Sequence, residues 1–303
     1  MQWNSVKYMA LVAAILLLVG QSSAQTPIRR PDLSTKTKIA PAYFGPNAFP
    51  VPDMLDGRTS SELKIELYGD CFLGTKTTSV ADDITTDLFA RVTIPLFTPK
   101  ANLTVYMPIF EYYRSSPAVN EIRRIDHEGT LTGFDSGDVY ISADVRILSQ
   151  EKHHCDMTVR AALKTASANN YAKARAYDSP GYFFDISVGR DLLTKNKDND
   201  LRIAASTGFL CWQTDNGRQN DAVMYGAEFA YRHKKFTIAT CLGGYVGWEN
   251  DGDRPMTLKT SVTYDIGALS ICLAHQAGFI DYPFHQIRIG AAYRFDILSQ
   301  KRK

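Results

Sequence analysis

The chain has 303 residues, and its 34 Lys and Arg residues nearly balance its 32 Asp and Glu residues, for a formal net charge of +2. This balance excludes the strongly basic field with which nucleic-acid-binding proteins attract phosphates, so we expect no nucleic-acid partner. The 22% of charged residues and the mean hydropathy of -0.21 fit both a soluble protein and a membrane β-barrel, because alternating strands average out in hydropathy.

The N-terminus has the pattern of a secretory signal peptide. A cationic residue precedes an apolar block from Met9 to Gly20, and the small residues Ser22 and Ala24 occupy the positions that a signal peptidase reads. We therefore predict that residues 1–24 are a signal peptide, cleaved after Ala24. The alternative is an N-terminal membrane anchor.

A proline-rich segment, residues 25–62, comes next. Its prolines lack the backbone donors that a central strand needs. Its middle part, IAPAYFGPNAFPVPDML, is nevertheless apolar and aromatic, whereas a disordered linker would be more polar. We therefore expect this segment to pack against another part of the protein.

From residue 63 onward, apolar and polar residues alternate, which gives each strand one apolar and one polar or small face. Segments of about ten residues are long for a soluble sandwich and suit a tilted strand that crosses a bilayer. The phase places Val145 and Val159 toward lipid and Ser142 and Thr158 toward a lumen. We predict twelve strands, at about 63–75, 87–97, 102–114, 138–149, 154–166, 181–190, 200–212, 222–233, 235–248, 256–266, 269–279 and 285–297.

The links between these strands alternate in length. Links after odd-numbered strands are long, such as 115–137, and links after even-numbered strands are mostly short, such as 267–268. Tight periplasmic turns and longer outer loops are typical of outer-membrane barrels. Aromatic residues near the strand ends, among them Tyr113, Trp212 and Trp248, suit the girdles at the two membrane interfaces.

With its signal peptide, alternating strands and final strand IRIGAAYRF, the chain resembles a Gram-negative outer-membrane β-barrel over residues 60–297. The resemblance implies an all-β fold: a transmembrane antiparallel up-and-down β-barrel of about twelve strands over 63–297. A basic tail, 298–303, follows the barrel. It also implies location in the bacterial outer membrane, with outer-membrane lipids and the barrel-assembly machinery as partners. The tail DILSQKRK departs from the family pattern, in which the last strand often ends the chain in an aromatic residue.

A narrower resemblance covers residues 136–192. The sequences SGDVYISADVRIL, AALKTASAN and DSPGYFFDISVGRDL are similar to transporter-like barrels of phenol and aromatic-compound degradation. The resemblance implies an outer-membrane channel or transporter-like barrel for small solutes, with no cofactor. The alternatives are a closed structural or surface-interaction barrel and a membrane-embedded lipid hydrolase.

The polar phase of the strands carries charges of both signs. Mixed signs favour ion pairs that fill a narrow lumen over a selective ring of one sign, and a water-filled pore of modest selectivity is the alternative. The charged residues that we place toward the lumen are Arg91, Asp138, Asp144, Arg146, Arg160, Lys164, Asp185, Arg202, Glu228, Arg232, Lys259, Arg288 and Arg294.

The proline-rich segment has two possible positions relative to such a barrel. Backbone outside a ladder cannot face lipid, so the segment either hangs in the periplasm or enters the lumen. Burial would stabilise Tyr43, Phe44 and Phe49, and a periplasmic tail offers them no partner. We therefore predict a lumen plug or periplasmic lid with these three anchors. The alternative is a tethering arm.

No group of residues predicts catalysis or metal binding. The five cysteines lie far apart, and an odd number cannot pair fully. A lipid hydrolase needs a serine within hydrogen-bond reach of a base, and no local motif links His127, His233, His275 or His285 to a serine. We therefore predict that the chain is not an enzyme and holds no metal.

Overall fold

The computed structural model describes residues 50–74, 82–119, 131–168, 180–193, 198–213, 219–248, 253–281 and 283–298. The predicted signal peptide and the plug anchors Tyr43, Phe44 and Phe49 lie outside these ranges. The strands are β1 (Leu63–Leu73), β2 (Ile84–Pro95), β3 (Ala101–Arg114), β4 (Thr132–Asp135), β5 (Tyr140–Leu148), β6 (Asp156–Lys164), β7 (Gly181–Asp191), β8 (Asn199–Gln213), β9 (Gln219–His233), β10 (Phe236–Gly247), β11 (Met256–Ile266), β12 (Leu269–Ile280) and β13 (Phe284–Phe295).

These strands form one closed antiparallel barrel with twelve strand positions, which confirms the predicted fold class. Neighbours in sequence pair with each other except β4 and β5, which both pair with β3, and β1 pairs with β13 along its whole length to close the ring. Closure gives the strands at the seam their ladder partners, as a β structure in a bilayer requires.

One barrel position is shared by two short strands. β4 pairs with residues 111–114 of β3, and β5 pairs with residues 101–106 of the same strand. Pro108 of β3 lies between these two ladders and cannot donate a hydrogen bond, and its carbonyl accepts one from Gly137 N at 2.8 Å. The predicted strand over 138–149 corresponds to β5, and the structure adds the short strand β4 within the predicted loop 115–137.

The links keep the predicted alternation only in part. The chain leaves β1, β3 and β6 through long loops, while β9–β10 and β11–β12 are joined by two-residue turns. The links 214–218 and 281–283, predicted to be longer, are short because their flanking strands extend further. A four-residue helical turn joins β5 to β6, and no helix among the described residues is long and apolar enough to span a membrane.

The two faces of the barrel differ as the alternation predicts. Val145 on the outer face is 41% exposed, whereas Ser142 and Thr158 on the inner face are 6% and 0% exposed. Exposed apolar side chains such as Leu273, Ile287 and Ile289 continue this outer surface around the barrel. An outer surface of this kind suits contact with lipid chains.

Two aromatic residues do not belong to the predicted girdles. Tyr113 and Trp212 are 3% and 0% exposed and lie on the inner face, unlike Trp248, which is 56% exposed. Trp212 joins an apolar cluster inside the barrel with Phe183, Leu210 and Tyr245. Side chains of the wall therefore fill part of the barrel interior.

Candidate functional site: the barrel interior

Ion pairs between neighbouring strands cover much of the inner wall. Arg160 of β6 faces Asp185 of β7 in register, and their Nε and Oδ2 atoms are 2.7 Å apart. Arg288 of β13 is 3.1 Å from Asp70 of β1. These side chains face inward because they alternate with the lipid-facing residues of the same strands.

Residues 50–58, which we call the inner segment, lie inside the barrel against this wall. Arg202 of β8 donates two hydrogen bonds to the Asp56 carbonyl, at 2.6 and 3.1 Å. Thr158 Oγ1 of β6 donates to the Gly57 carbonyl at 2.6 Å. Backbone carbonyls, which lack a ladder partner in a proline-rich chain, thus receive hydrogen bonds from wall side chains.

Gly57 permits the closest approach of the inner segment to the wall. Its φ of +88° is a backbone conformation that other residues rarely adopt. A Cβ at this position would lie 2.8 Å from Gly189 N and 2.9 Å from the Asp156 carbonyl oxygen. Only glycine therefore fits at this contact.

Asp53 links the inner segment to two distant parts of the wall. Lys259 Nζ of β11 lies 2.7 Å from Asp53 Oδ1, and Arg91 Nη2 of β2 lies 3.0 Å from Asp53 Oδ2. The strands β2 and β11 are four positions apart in the ring, separated by β1, β13 and β12. One carboxylate therefore links two strands of the wall that are not neighbours in the barrel.

The electrostatic environment favours the charged form of Asp53. Burial by itself would raise the pKa of this carboxyl. Lys259, Arg91 and Arg288 outweigh burial and hold the pKa of Asp53 well below its ordinary value. The link is therefore a charge-assisted one at neutral pH.

A cavity of about 130 Å³ remains beside the inner segment. The inner segment lines one side of it, and the inner faces of β9, β10, β11 and β12 line the other. Polar groups of the wall at this cavity are Glu228, Cys241, Thr257, Lys259, Ser261 and Gln276.

The charged residues that the sequence placed toward the lumen fall into three groups. Arg91, Arg202 and Lys259 bind the inner segment directly. Others pair with acids of the wall: Arg160 with Asp185, Lys164 with Asp138, Arg232 with Asp200, Arg288 with Asp70, and Arg294 with Asp265 and Glu62. Glu228 lines the cavity, Asp144 accepts a hydrogen bond from Ser142, and Arg146 lies on the inner phase of β5 beside Thr158.

The sequence analysis missed the acids of the inner segment. Asp53 and Asp56 lie in PVPDMLDG, a segment that the sequence analysis interpreted only from its apolar residues. This apolar segment was predicted to enter a lumen that contains many cations, so an acid within it is a candidate partner for those cations. That reasoning could have identified Asp53 and Asp56. Asp138 also differs from a regular strand residue, since it lies between β4 and β5.

His127 lies outside the described residues, and the side chains of His233, His275 and His285 contact groups other than serine. His233 Nδ1 lies 2.7 Å from Asn199 Oδ1, and His275 Nε2 lies 3.3 Å from His285 Nδ1 on the outer face. The five cysteines are free. Within the described ranges, no group of three or more His, Cys, Asp or Glu residues is arranged to hold a metal ion.

No protein-family model matches the chain, and no curated protein is similar to it in sequence. Among solved structures, it is similar to an outer membrane channel from Pseudomonas putida F1, with 13% identity, a TM-score of 0.57, and coverage of 80% of this chain and 100% of the channel. The NanC porin (11% identity, TM-score 0.48, 76% of this chain and 100% of the porin) and the KdgM porin (9%, 0.45, 76% and 99%) are more distant. The likeness to the channel establishes the fold, which is that of the β-barrels of the bacterial outer membrane.

Proposed function

We propose that this barrel is an outer-membrane channel for small solutes, and that the inner segment constricts its lumen. The observation that supports the proposal most directly is the Asp53 carboxylate, held between β2 and β11 beside a cavity of about 130 Å³. A charged link across an interior with free space suits a hydrated path, since a dry core would bury these charges at a large cost.

The way in which the inner segment is held also favours a constriction over a structural element. The side chains of Arg91, Thr158, Arg202 and Lys259 donate its hydrogen bonds to the wall among the described residues. Such bonds can exchange with water one at a time, whereas a β-ladder separates cooperatively. The inner segment can therefore leave the wall while the barrel stays closed.

Single-channel conductance in planar lipid bilayers tests the proposal. We compare the full-length protein with a variant that lacks residues 26–58. The deletion spares Thr59 and Ser60, which bond to the Pro99 carbonyl and to Asn102 at the start of the barrel. We expect both proteins to conduct and the deletion variant to conduct more. A folded deletion variant that conducts no more than the full-length protein would make the segment a tether.

A reversible disulfide gives a sharper comparison in one molecule. A Cβ built at Gly243 lies 3.4 Å from Val51 Cγ1, so Val51→Cys with Gly243→Cys can form a disulfide between the inner segment and β10. The five native cysteines are replaced by serine, and Val51→Cys alone is the control. We expect reduction to raise the conductance of the double variant only. Absence of conductance in every variant would favour the closed structural barrel.

A further inference from the structure

Two cations of the barrel wall form their salt bridges with the inner segment. Lys259 and Arg91 bind the two oxygens of the Asp53 carboxylate, at 2.7 and 3.0 Å. Within the described ranges, neither cation has another salt bridge. Arg288 is a third cation close to this carboxylate, and its own salt bridge goes to Asp70. The wall thus presents a group of cations whose charge is balanced by an anion that is not part of the wall.

Aromatic rings of the wall hold two of these cations in place. The Arg91 guanidinium carbon lies 4.9 Å from the ring centroid of Tyr106 and 5.5 Å from that of Tyr68. The Arg288 guanidinium carbon lies 4.2 Å from the Tyr68 centroid. These cation–π contacts do not involve Asp53, so the two arginines keep their positions when Asp53 leaves. A site that is formed in advance binds an anion without the cost of ordering its side chains.

A small solute has room to approach this cationic group. The cavity of about 130 Å³ reaches both Asp53 and Lys259, so a molecule inside it lies next to the ion pair. Its wall also offers the hydroxyl groups of Thr257 and Ser261, the amide of Gln276 and the carboxyl group of Glu228. This lining suits a small polar molecule whose one anionic group binds at Lys259.

We propose that Arg91, Lys259 and Arg288 form a binding site for the carboxylate of a small organic acid, and that the Asp53 side chain occupies this site when no solute is bound. The inference rests on the proposed function, because it names the solute class of the same lumen. A solute carboxylate and Asp53 compete for the same cations, so solute binding releases Asp53. The inner segment then loses its link between β2 and β11.

The competition sets the range of affinity. A carboxylate tethered by a short flexible chain acts at an effective concentration on the order of millimolar. A free carboxylate therefore displaces Asp53 only at comparable or higher concentrations. Weak binding of this kind is what passage through a channel requires, since a tightly bound solute would not leave.

The test follows the burial of Pro52, the neighbour of Asp53, which is buried in the closed arrangement. Pro52→Cys is introduced into the full-length protein with the five native cysteines replaced by serine, and the barrel is reconstituted in lipid vesicles. The measurement is the rate at which a membrane-impermeant thiol reagent labels the new cysteine. Met54→Cys serves as a second reporter should Pro52→Cys prevent folding.

Sodium acetate is the probe, because acetate reproduces the carboxymethyl side chain of Asp53. Acetamide is the uncharged molecule of the same shape, and sodium chloride and sodium phosphate at equal ionic strength report on anions in general. We expect acetate to raise the labelling rate several-fold and the other three to change it little. In an Asp53→Asn background, labelling should be fast and independent of acetate.

Matched variants of wall cations separate the site from general charge effects. Lys259→Gln should make labelling fast and remove its dependence on acetate. Arg232→Gln is the control, because Arg232 lies on the same inner face but pairs with Asp200 of the wall at 3.7 Å. This control should keep the full acetate response.

Several results would overturn the inference. An equal response to acetate and chloride means that salt merely screens the ion pairs, and an equal response to acetamide means that charge is not recognised. An equal response to phosphate removes the assignment to carboxylates. If the barrel conducts but its labelling rate does not depend on acetate, this inference alone is overturned. If labelling depends on acetate but the barrel never conducts, the proposed function alone is overturned.

Discussion

At the scale of single residues, Asp53 makes the attachment of the inner segment dependent on pH. Its pKa is held well below the ordinary value, against the effect of burial, by Lys259, Arg91 and Arg288. For an acid with a lowered pKa in the folded protein, the stabilisation is fully present above the unfolded pKa of about 3.9 and is lost as pH falls through the lowered value.

We therefore expect the conductance of the full-length barrel to stay constant from neutral pH to about pH 4 and to rise only in more acidic solution. Asp53→Asn is the matched variant, since it keeps the shape and removes the charge. Its conductance should be high at neutral pH and should not rise further in acid. A wild-type rise centred near neutral pH would assign the gating to another group.

Among the described residues, Lys164 and Asp138 form the most completely buried ion pair of the inner wall. Each side chain is 1% exposed, and Asp138 also accepts hydrogen bonds from Ser167 N and Ala168 N at 2.7 and 2.8 Å. Lys164→Met leaves the Asp138 charge buried without its cation, which costs about 3–5 kcal/mol. The double variant Asp138→Asn/Lys164→Met removes both charges, and Asn can still accept from the two backbone groups.

Urea unfolding of the barrel in lipid vesicles measures this prediction. We expect the single variant to lose several kcal/mol and the double variant to recover most of that loss. Equal losses in both variants would show that shape, and not the unpaired charge, sets the cost.

The sequence predicted the positions of single side chains less completely than the positions of strands. Trp212 shares the parity of Arg202 along β8, so the alternation itself indicates the inner face, although its place near the strand end suggested a girdle. Tyr113 could not be assigned this way. The β2–β3 register is irregular between Phe110 and Pro108, and this irregularity changes which residues of β3 face inward. The sequence contains no pattern that predicts it. Partners of Asp53 come from strands about 38 and 206 residues away, beyond any local pattern.

At the scale of strands, the alternation predicted which face meets lipid. The sequence located all twelve barrel positions because period-two alternation is a local property that each strand carries by itself. It did not predict that β4 and β5 divide one position. The division falls on either side of Pro108 in the neighbouring strand, so it is a property of pairing and not of the divided segment.

The outer face of β7 offers a test of this assignment. Ile186 lies at the centre of Gly181–Asp191 and is 47% exposed, opposite Val159 of β6. Val145 is a weaker choice because it lies only three residues before the end of β5. Ile186→Arg should cost about 2–4 kcal/mol, the range for an arginine near the bilayer midplane.

The matched substitution on the inner face is Ser261→Arg. Ser261 lines the cavity, so the new cation has room and polar neighbours, and we expect a much smaller loss in the same urea-unfolding measurement. Ser142 and Thr158 are unsuitable controls, since both are buried among close neighbours. A loss at Ser261 as large as that at Ile186 would contradict the assignment of the two faces.

At the scale of the whole molecule, the barrel depends on a seam between its first and last strands. β1 and β13 are about 220 residues apart in the chain, yet every residue of β1 has a partner in β13. The sequence predicted closure only through the resemblance to outer-membrane barrels. We expect the mature protein in the membrane fraction, with a gel mobility that changes on boiling, because closed barrels resist detergent until heated. Recovery as a soluble periplasmic monomer would contradict the fold.

Two glycines within the seam allow a test of closure by a single methyl group. A Cβ at Gly290 of β13 would lie 2.5 Å from Tyr68 Cβ and 3.0 Å from the Leu67 carbonyl oxygen, so Gly290→Ala must push β1 and β13 apart. A Cβ at Gly69 of β1 would meet only the Asp87 carbonyl oxygen, at 3.6 Å, which is ordinary contact. Overpacking of this kind costs about 1–3 kcal/mol. We expect Gly290→Ala to lower the temperature at which the gel mobility changes and Gly69→Ala to leave it unaltered. Equal temperatures for the two variants would mean that the seam between β1 and β13 does not limit the stability of the closed barrel.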